Sequence, residues 1–288
     1  MLRKPVGSIV IAAHNEASVI LRCLDALAPL AANGSATIIV VCNGCTDDTA
    51  ALARSRSGVT VLELGIASKA GALRAGDLAA CPGPRIYLDA DVVMTSQGAL
   101  DVFAALGRPG AFAARPPVVF DVTGAQWPVR SWYRVRGQLS SVREALWGAG
   151  TYGLSVQGRA RFEEFPDLVS DDLFIDSLFG EDERLIAPTD PVVVRTPRRS
   201  SDLINILQRK YRTQSDVPRA VASGAQESIL LSSSQRLQLA EMRSIVGKHP
   251  RHVFDVAVYM LMVAIARVHA KNARPGTVWE RDESSRTV

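Results

Sequence analysis

Along the first third of the chain, short continuous apolar runs alternate with stretches whose apolar residues recur at helical spacing. Ser8–Ala13, Thr37–Val41, Val59–Leu64 and Arg85–Leu88 are the apolar runs, rich in Ile, Val and Leu. Between them, Ile20, Leu24 and Leu27 form one stripe, Ala50 and Leu52 belong to a second segment ending near Arg54, and Lys69–Ala80 is rich in Ala and Leu. Apolar runs of four to eight residues separated by helical segments predict parallel strands covered on both faces. The expected class is therefore α/β, a mostly parallel central sheet flanked by helices, with a helical C-terminal region.

The pattern then changes. From about Gly107 to Pro166 it is less regular and carries Trp127, Trp132, Tyr133, Trp147 and Tyr152. Such rings either stack on sugars or fill a core. The polar knot Ser170-Asp171-Asp172 follows, ahead of an apolar helix beginning at Leu173. Residues 252–269 are apolar almost all round, which marks a helix that is buried or covered by an interface. Asp255 and Arg267 within it argue against a membrane span, and no uninterrupted apolar run reaches the roughly 18 residues that a span needs.

Polar clusters stand where the early strands end. Ligands of parallel α/β sheets bind beyond the carboxyl ends of the strands, so His14-Asn15-Glu16, Asn43-Gly44, Ala67-Ser68-Lys69 and Asp89-Ala90-Asp91 are expected along one rim. Taken alone, Asp-x-Asp is an ordinary turn motif. On a shared rim it reads differently. Two carboxylates one residue apart repel unless a cation lies near them, and a divalent ion is commonly held by one or two carboxylates together with substrate phosphates.

Composition changes this picture little. The 288 residues carry a formal net charge of +4, too mild and dispersed for a nucleic-acid partner. One basic cluster, Arg195 to Arg219, holds seven basic residues against two acidic ones, a net of +5. It suits a phosphate-bearing ligand or an anionic surface. The four cysteines (Cys23, Cys42, Cys45 and Cys81) form no disulfide framework, and Met1–Pro5 leads into a strand without a signal-peptide core, so a cytoplasmic location is expected.

The order Ile9–Glu16, Val40–Asp47, Ser68–Leu73 and Tyr87–Asp91 resembles family 2 glycosyltransferases of the GT-A fold. The resemblance is dense over residues 7–94 and thinner to about 212. It implies inverting transfer of a sugar, a hexosyl group, from a nucleotide diphosphate donor to an acceptor hydroxyl, with a UDP-sugar as the first expectation. By the same resemblance, Ala13, His14, Asn15, Glu16 and Asn43 meet the base and ribose, and Lys69 approaches the pyrophosphate. Asp89 and Ala90 lie by the ribose, and Asp91, with Asp89, holds Mn²⁺ or Mg²⁺. Asp172 is the general base with Asp171 as its partner, and Gly148, Gly150, Thr151 and Tyr152 belong to a glycine-rich acceptor loop. Arg209 and Arg212 offer a diphosphate contact. The family's acidic pair after the second strand is replaced by Cys42-Asn43-Gly44-Cys45.

The implied domains are a catalytic domain over 1–215 (nucleotide-binding half 1–106, acceptor-binding half 107–215), a helical extension over 216–275 and a flexible tail over 276–288. The expected partners are the nucleotide-sugar donor and a small-molecule, glycan or lipid-linked acceptor. The 252–269 helix is a candidate for peripheral contact with the inner membrane face or for a homodimer interface. Three other readings compete. Cys42-x-x-Cys45 has the local context of a redox site. A nucleotidyltransferase would share the fold, but it opens with a Gly-rich phosphate loop that is missing here. A non-catalytic sugar-nucleotide-binding protein would not need all three of Asp89, Asp91 and Asp172.

Overall fold

The computed structural model describes residues 4–168, 170–213 and 227–272. The chain forms two compact units: Met1–Val119 with Leu146–Val194, and Phe120–Ala145 with Arg195–Val288. This division differs from one at residue 215, because segment 120–145 packs with the C-terminal helices. The expected tail over 276–288 lies outside the described residues.

The first unit is built on a seven-stranded sheet. Strands β1 (Ser8–Ala13), β2 (Thr37–Asn43), β3 (Val59–Leu64) and β4 (Arg85–Asp89) alternate with helices α1 (Ile20–Asn33), α2 (Thr49–Arg54) and α3 (Lys69–Ala79). Helix α4 (Ser96–Leu106), β5 (Ala113–Arg115), β6 (Val118–Asp121), α5 (Trp127–Arg136), α6 (Ser140–Arg143), β7 (Thr151–Leu154), α7 (Val156–Arg159), α8 (Asp171–Ser177), β8 (Arg184–Ile186) and β9 (Val192–Arg195) follow. The sheet order is β3-β2-β1-β4-β7-β5-β8, and β6 pairs with β9 apart from it. Strands β1 to β4 are parallel, as the apolar runs predict. Strand β7 runs antiparallel to β4, with Leu88 opposite Thr151, so the segment entering β7 arrives at the rim where β4 ends.

Strands β1 and β2 are buried almost throughout, whereas β3 is an edge strand that exposes Thr60 and Glu63. A charged edge strand discourages pairing with another chain. Helix α1 buries Ile20, Cys23, Leu24, Leu27 and Leu30 against one face. Helix α3 covers the other, at close range: a Cβ on Gly76 would lie 2.3 Å from Val10 Cγ1. Asp77 of α3 is buried and accepts from Arg85, Tyr87 and Arg159, which pins β4 and α7 to the helix.

The second unit is helical, with α5, α6, α9 (Ser200–Thr213), α10 (Glu227–Lys248) and α11 (Val253–Asn272). Trp132 of α5 is core, stacked on Tyr259 of α11 with ring centroids 5.2 Å apart, and the Arg136 guanidinium lies over the Trp132 ring. The segment Pro250–Ala270 is long and apolar enough, by length and composition, to cross a membrane. Its Asp255 is buried and accepts from Arg134 at 2.7 Å and pairs with His252 at 2.9 Å. Burial pushes the Asp255 pKa up, but the hydrogen bonds from His252, Arg134 and Ser131 outweigh it and hold the carboxyl below its usual range.

Candidate active site

The rim at the carboxyl ends of β1, β2 and β4 is a set of loops tied to one another. Asn43, buried at the end of β2, donates to the Ala13 carbonyl at 2.9 Å and accepts from the Ser68 backbone N–H at 3.0 Å. Its amide therefore ties the end of β2 to the end of β1 on one side and to the start of α3 on the other. His14 Nδ1 lies 2.6 Å from the Asn43 carbonyl. Asn15 takes a left-handed backbone conformation (φ 54°), which Asn tolerates better than most residues, and its side chain accepts from Thr46 N–H. Glu16 is buried ahead of α1, and its N–H donates to Thr49 Oγ1 at 2.7 Å. Ala17 N–H reaches Asp47, which also accepts from Thr49. Thr46-Asp47-Asp48 reads from sequence as the cap of α2, whereas Thr49 has no role in the sequence reading. The signal for the Asp47–Thr49 pair is the helix-start spacing, with Asp two residues before the Thr whose N–H it accepts.

Cys42 is buried and Cys45 half-buried, both as free thiols. Burial, reinforced by Cys45, pushes the Cys42 thiol up to about 12. A thiol held that high is a poor nucleophile, contrary to what a redox motif needs.

Lys69 is the centre of the site. Ser68 caps α3 by accepting from Gly71 N–H, so Lys69 begins the helix and points along the rim. Its Nζ bonds Asp89 Oδ1 and Asp171 Oδ1, each at 2.8 Å. Burial pushes the Lys69 pKa down, but Asp171 and Asp89 overcome this and hold it well above its ordinary value, so the amine stays cationic. Burial pushes the Asp89 carboxyl up to about 6, with Lys69 opposing and Asp171 and Asp91 adding to the rise. Even so, 39% of the Asp89 side chain meets solvent, so the group remains accessible.

Asp89 and Asp91 flank a tight turn in which Val92 N–H donates to the Asp89 carbonyl. Arg22 of α1 donates to the Asp91 carbonyl at 3.1 Å, a contact that no sequence spacing announces. Among the described residues, no group of three or more His, Cys, Asp or Glu side chains is arranged to hold a metal by itself. The pair fits the other mode, in which one or two carboxylates hold a divalent ion jointly with phosphate oxygens.

The residues that the family resemblance assigns to the acceptor side lie on β7, on α8 and in the loop before β7. Asp171 and Asp172 occupy the first turn of α8, where acidic side chains oppose the helix dipole. Asp171 is buried between Lys69 and Tyr152, whose hydroxyl donates to it at 2.8 Å. Asp172 is half-buried and accepts from Gly148 N–H at 2.9 Å. Gly148 and Gly150 both have positive φ. A Cβ on Gly150 would lie 2.5 Å from Val92 Cγ2, and its carbonyl accepts from Asp89 N–H at 2.8 Å.

Thr151 and Tyr152 differ from the expectation of an acceptor loop. They are strand residues, both buried, and Thr151 bonds the Tyr87 carbonyl. As neighbours on β7 they face opposite sides of a sheet that is buried on both, and Tyr152 reaches Asp171 from its side. Trp147 is half-buried beside this loop. Arg209 and Arg212 belong to α9 in the second unit.

A family model described as glycosyl transferase family 2 matches residues 8–157, just over half of the chain. No curated protein matches it. Among solved structures, the mannosyltransferase PcManGT from Pyrobaculum calidifontis, in complex with GDP-Man and Mn²⁺, has a TM-score of 0.65 at 17% identity, covering 94% of this chain and 88% of that one. Glucosyl-3-phosphoglycerate synthase from Mycobacterium tuberculosis in complex with phosphoglyceric acid gives 0.53 at 18% identity, covering 74% and 78%. The same enzyme with Mg²⁺ and UDP gives 0.51 at 18% identity, with the same coverage. At these identities the likeness is one of fold, and the fold is GT-A.

Proposed function

Because the chain belongs to glycosyl transferase family 2, we propose that it moves a sugar from a nucleoside diphosphate donor to an acceptor hydroxyl with inversion. The observation that carries this reading is the meeting of two carboxylate pairs, Asp89/Asp91 and Asp171/Asp172, on one rim, with Lys69 joining the first pair to the second. One pair suits a cation and a diphosphate; the other suits an acceptor proton.

In this reading Asp172 is the general base. Gly148 N–H holds one of its oxygens, and the other accepts from the next residue's N–H, so the carboxylate is oriented before the acceptor arrives. It takes the hydroxyl proton as that oxygen attacks the anomeric carbon. The bond to the diphosphate breaks on the opposite face, and its electron pair leaves with the diphosphate oxygen. A single displacement inverts the configuration. Asp91, with Asp89, would hold Mn²⁺ or Mg²⁺, which supplies positive charge to the departing diphosphate. Asp171 does not act as a second base: bound to Lys69 and Tyr152, it anchors the start of α8 and so positions Asp172.

PcManGT was crystallised with a GDP-sugar and the synthase with UDP. A UDP-sugar is the first donor to try here and a GDP-sugar the second. The test is a thermal-shift panel of nucleoside diphosphate sugars with and without Mn²⁺, followed by NMR of the anomeric proton of the product. Metal-dependent stabilisation by one nucleotide and an inverted product are expected. Stabilisation by no nucleoside diphosphate, or retained configuration, would overturn the reading.

A further inference from the structure

The outer face of α11 carries an apolar stripe that its own unit leaves uncovered. Val253, Phe254, Ala257, Met260, Leu261, Ala264 and Val268 are all exposed. At 100° per residue they fall within an arc of about 120°, over a length of about 22 Å. The opposite face, including Tyr259, Met262 and Ala266, is buried in the unit. Phe254 is 57% exposed and Leu261 60%. Trp127 of α5, 55% exposed, stacks on Phe254 with ring centroids 5.6 Å apart and extends the stripe sideways. Isolated surface leucines are normal, but a continuous stripe of this size marks an interaction site.

The charges around the stripe indicate its partner. Residues 242–254, leading into the helix, include Arg243, Lys248 and Arg251 and no acidic residue. Residues 127–143 include Arg130, Arg134, Arg136 and Arg143 and no acidic residue. Lys248, Arg251 and Arg130 are exposed, and Arg130 lies one turn from Trp127 on α5. The nearest carboxylate, Asp255, is turned inward and bonded to Arg134 and His252. An apolar face with Trp and Phe at its edge and flanking cations is the pattern of a helix lying in the plane of a bilayer interface.

We propose that this face docks on an anionic bilayer surface, with the stripe among the upper acyl chains and Arg130, Lys248 and Arg251 at the headgroups. A second copy of the chain suits the face less well, because it would bring the same cations, and Arg267 from the far end, against these. A span is opposed by packing: the inward face of the helix is already buried against α5 and α9.

The purified full-length chain, with no donor present, is sedimented with phosphatidylcholine vesicles made with and without phosphatidylglycerol, at low and high salt. Binding to the anionic vesicles that weakens with salt is expected. The double substitution Phe254→Asp/Leu261→Asp is expected to weaken it by on the order of tenfold or more. Arg130→Glu and Arg251→Glu are each expected to weaken it about fivefold on anionic vesicles alone. All these positions are exposed, so unchanged melting temperatures show that the fold is intact. Absence of binding to either vesicle, or equal binding by the parent and the Phe254→Asp/Leu261→Asp variant, overturns the proposal. A dimer dissociated by Leu261→Asp would assign the face to a second copy, and resistance to alkaline carbonate extraction would assign it to a span; either result overturns it. Because no donor is used, failure here leaves the transferase reading untouched.

Discussion

The two units treat their exposed chemistry in opposite ways. In the first, the polar side chains at the rim are spent on one another: Asn43 on Ala13 and Ser68, Asp47 on Ala17 and Thr49, Lys69 on Asp89 and Asp171. In the second, Trp127, Phe254 and Leu261 turn outward, with Trp127 stacked on Phe254. A site that must hold charge before its ligand arrives needs internal ties, because an unpaired charge there is costly. A surface that meets a fluid, non-directional partner needs none, since the hydrophobic effect scales with area rather than geometry.

The sharpest way to break this comparison is through Asp172. Asp172→Asn is expected to lower transfer by about 10²–10⁴-fold while leaving donor-induced thermal stabilisation intact. A matching loss of donor binding would show that acceptor and donor halves are not separable. Next comes the core beneath the rim. Leu27→Ala, at a fully buried position of α1, is expected to cost about 3 kcal/mol by urea denaturation, whereas Leu261→Ala on the outward stripe stays within about 0.5 kcal/mol. Equal costs would mean that the stripe is packed and not presented.

Lys69→Met follows, with an expected loss of about 2–3 kcal/mol, because it leaves Asp89 and Asp171 without their shared cation. Adding Asp171→Asn should restore most of it, and failure to do so would mean that Lys69 acts by packing. The smallest effect is expected at the exposed Arg161–Glu183 pair. The Arg161 hydrogen bond lowers the Glu183 pKa to about 2. A depressed carboxylate stabilises the fold above its unfolded pKa and loses that contribution as pH falls through the folded one. The Arg161→Gln variant should therefore show a flatter urea midpoint between the ordinary glutamate range and pH of about 2.

Strands β1 to β4 and the loops at their ends were legible in the sequence because buried parallel strands leave uninterrupted apolar runs. Strands β5 and β8 were not, since three residues such as Ala113-Ala114-Arg115 carry no period. Strand β7 was hidden for another reason. Thr151 and Tyr152 read as acceptor loop, and only pairing with β4 reveals them as buried strand. The roles of Asp89 and Asp171 also divided in a way that spacing does not show. Their common partner Lys69 starts a different helix, and a contact between distant segments has no local signature.

One backbone contact has a wider consequence. Asp89 N–H donates to the Gly150 carbonyl, so the turn bearing the donor-side carboxylates and the loop that orients Asp172 are rungs of one ladder. In the proposed reading, the distance from leaving diphosphate to Asp172 is therefore held by a main-chain tie and not by side-chain contacts alone. Gly150 is held to glycine by the same tie, because any side chain there meets Val92.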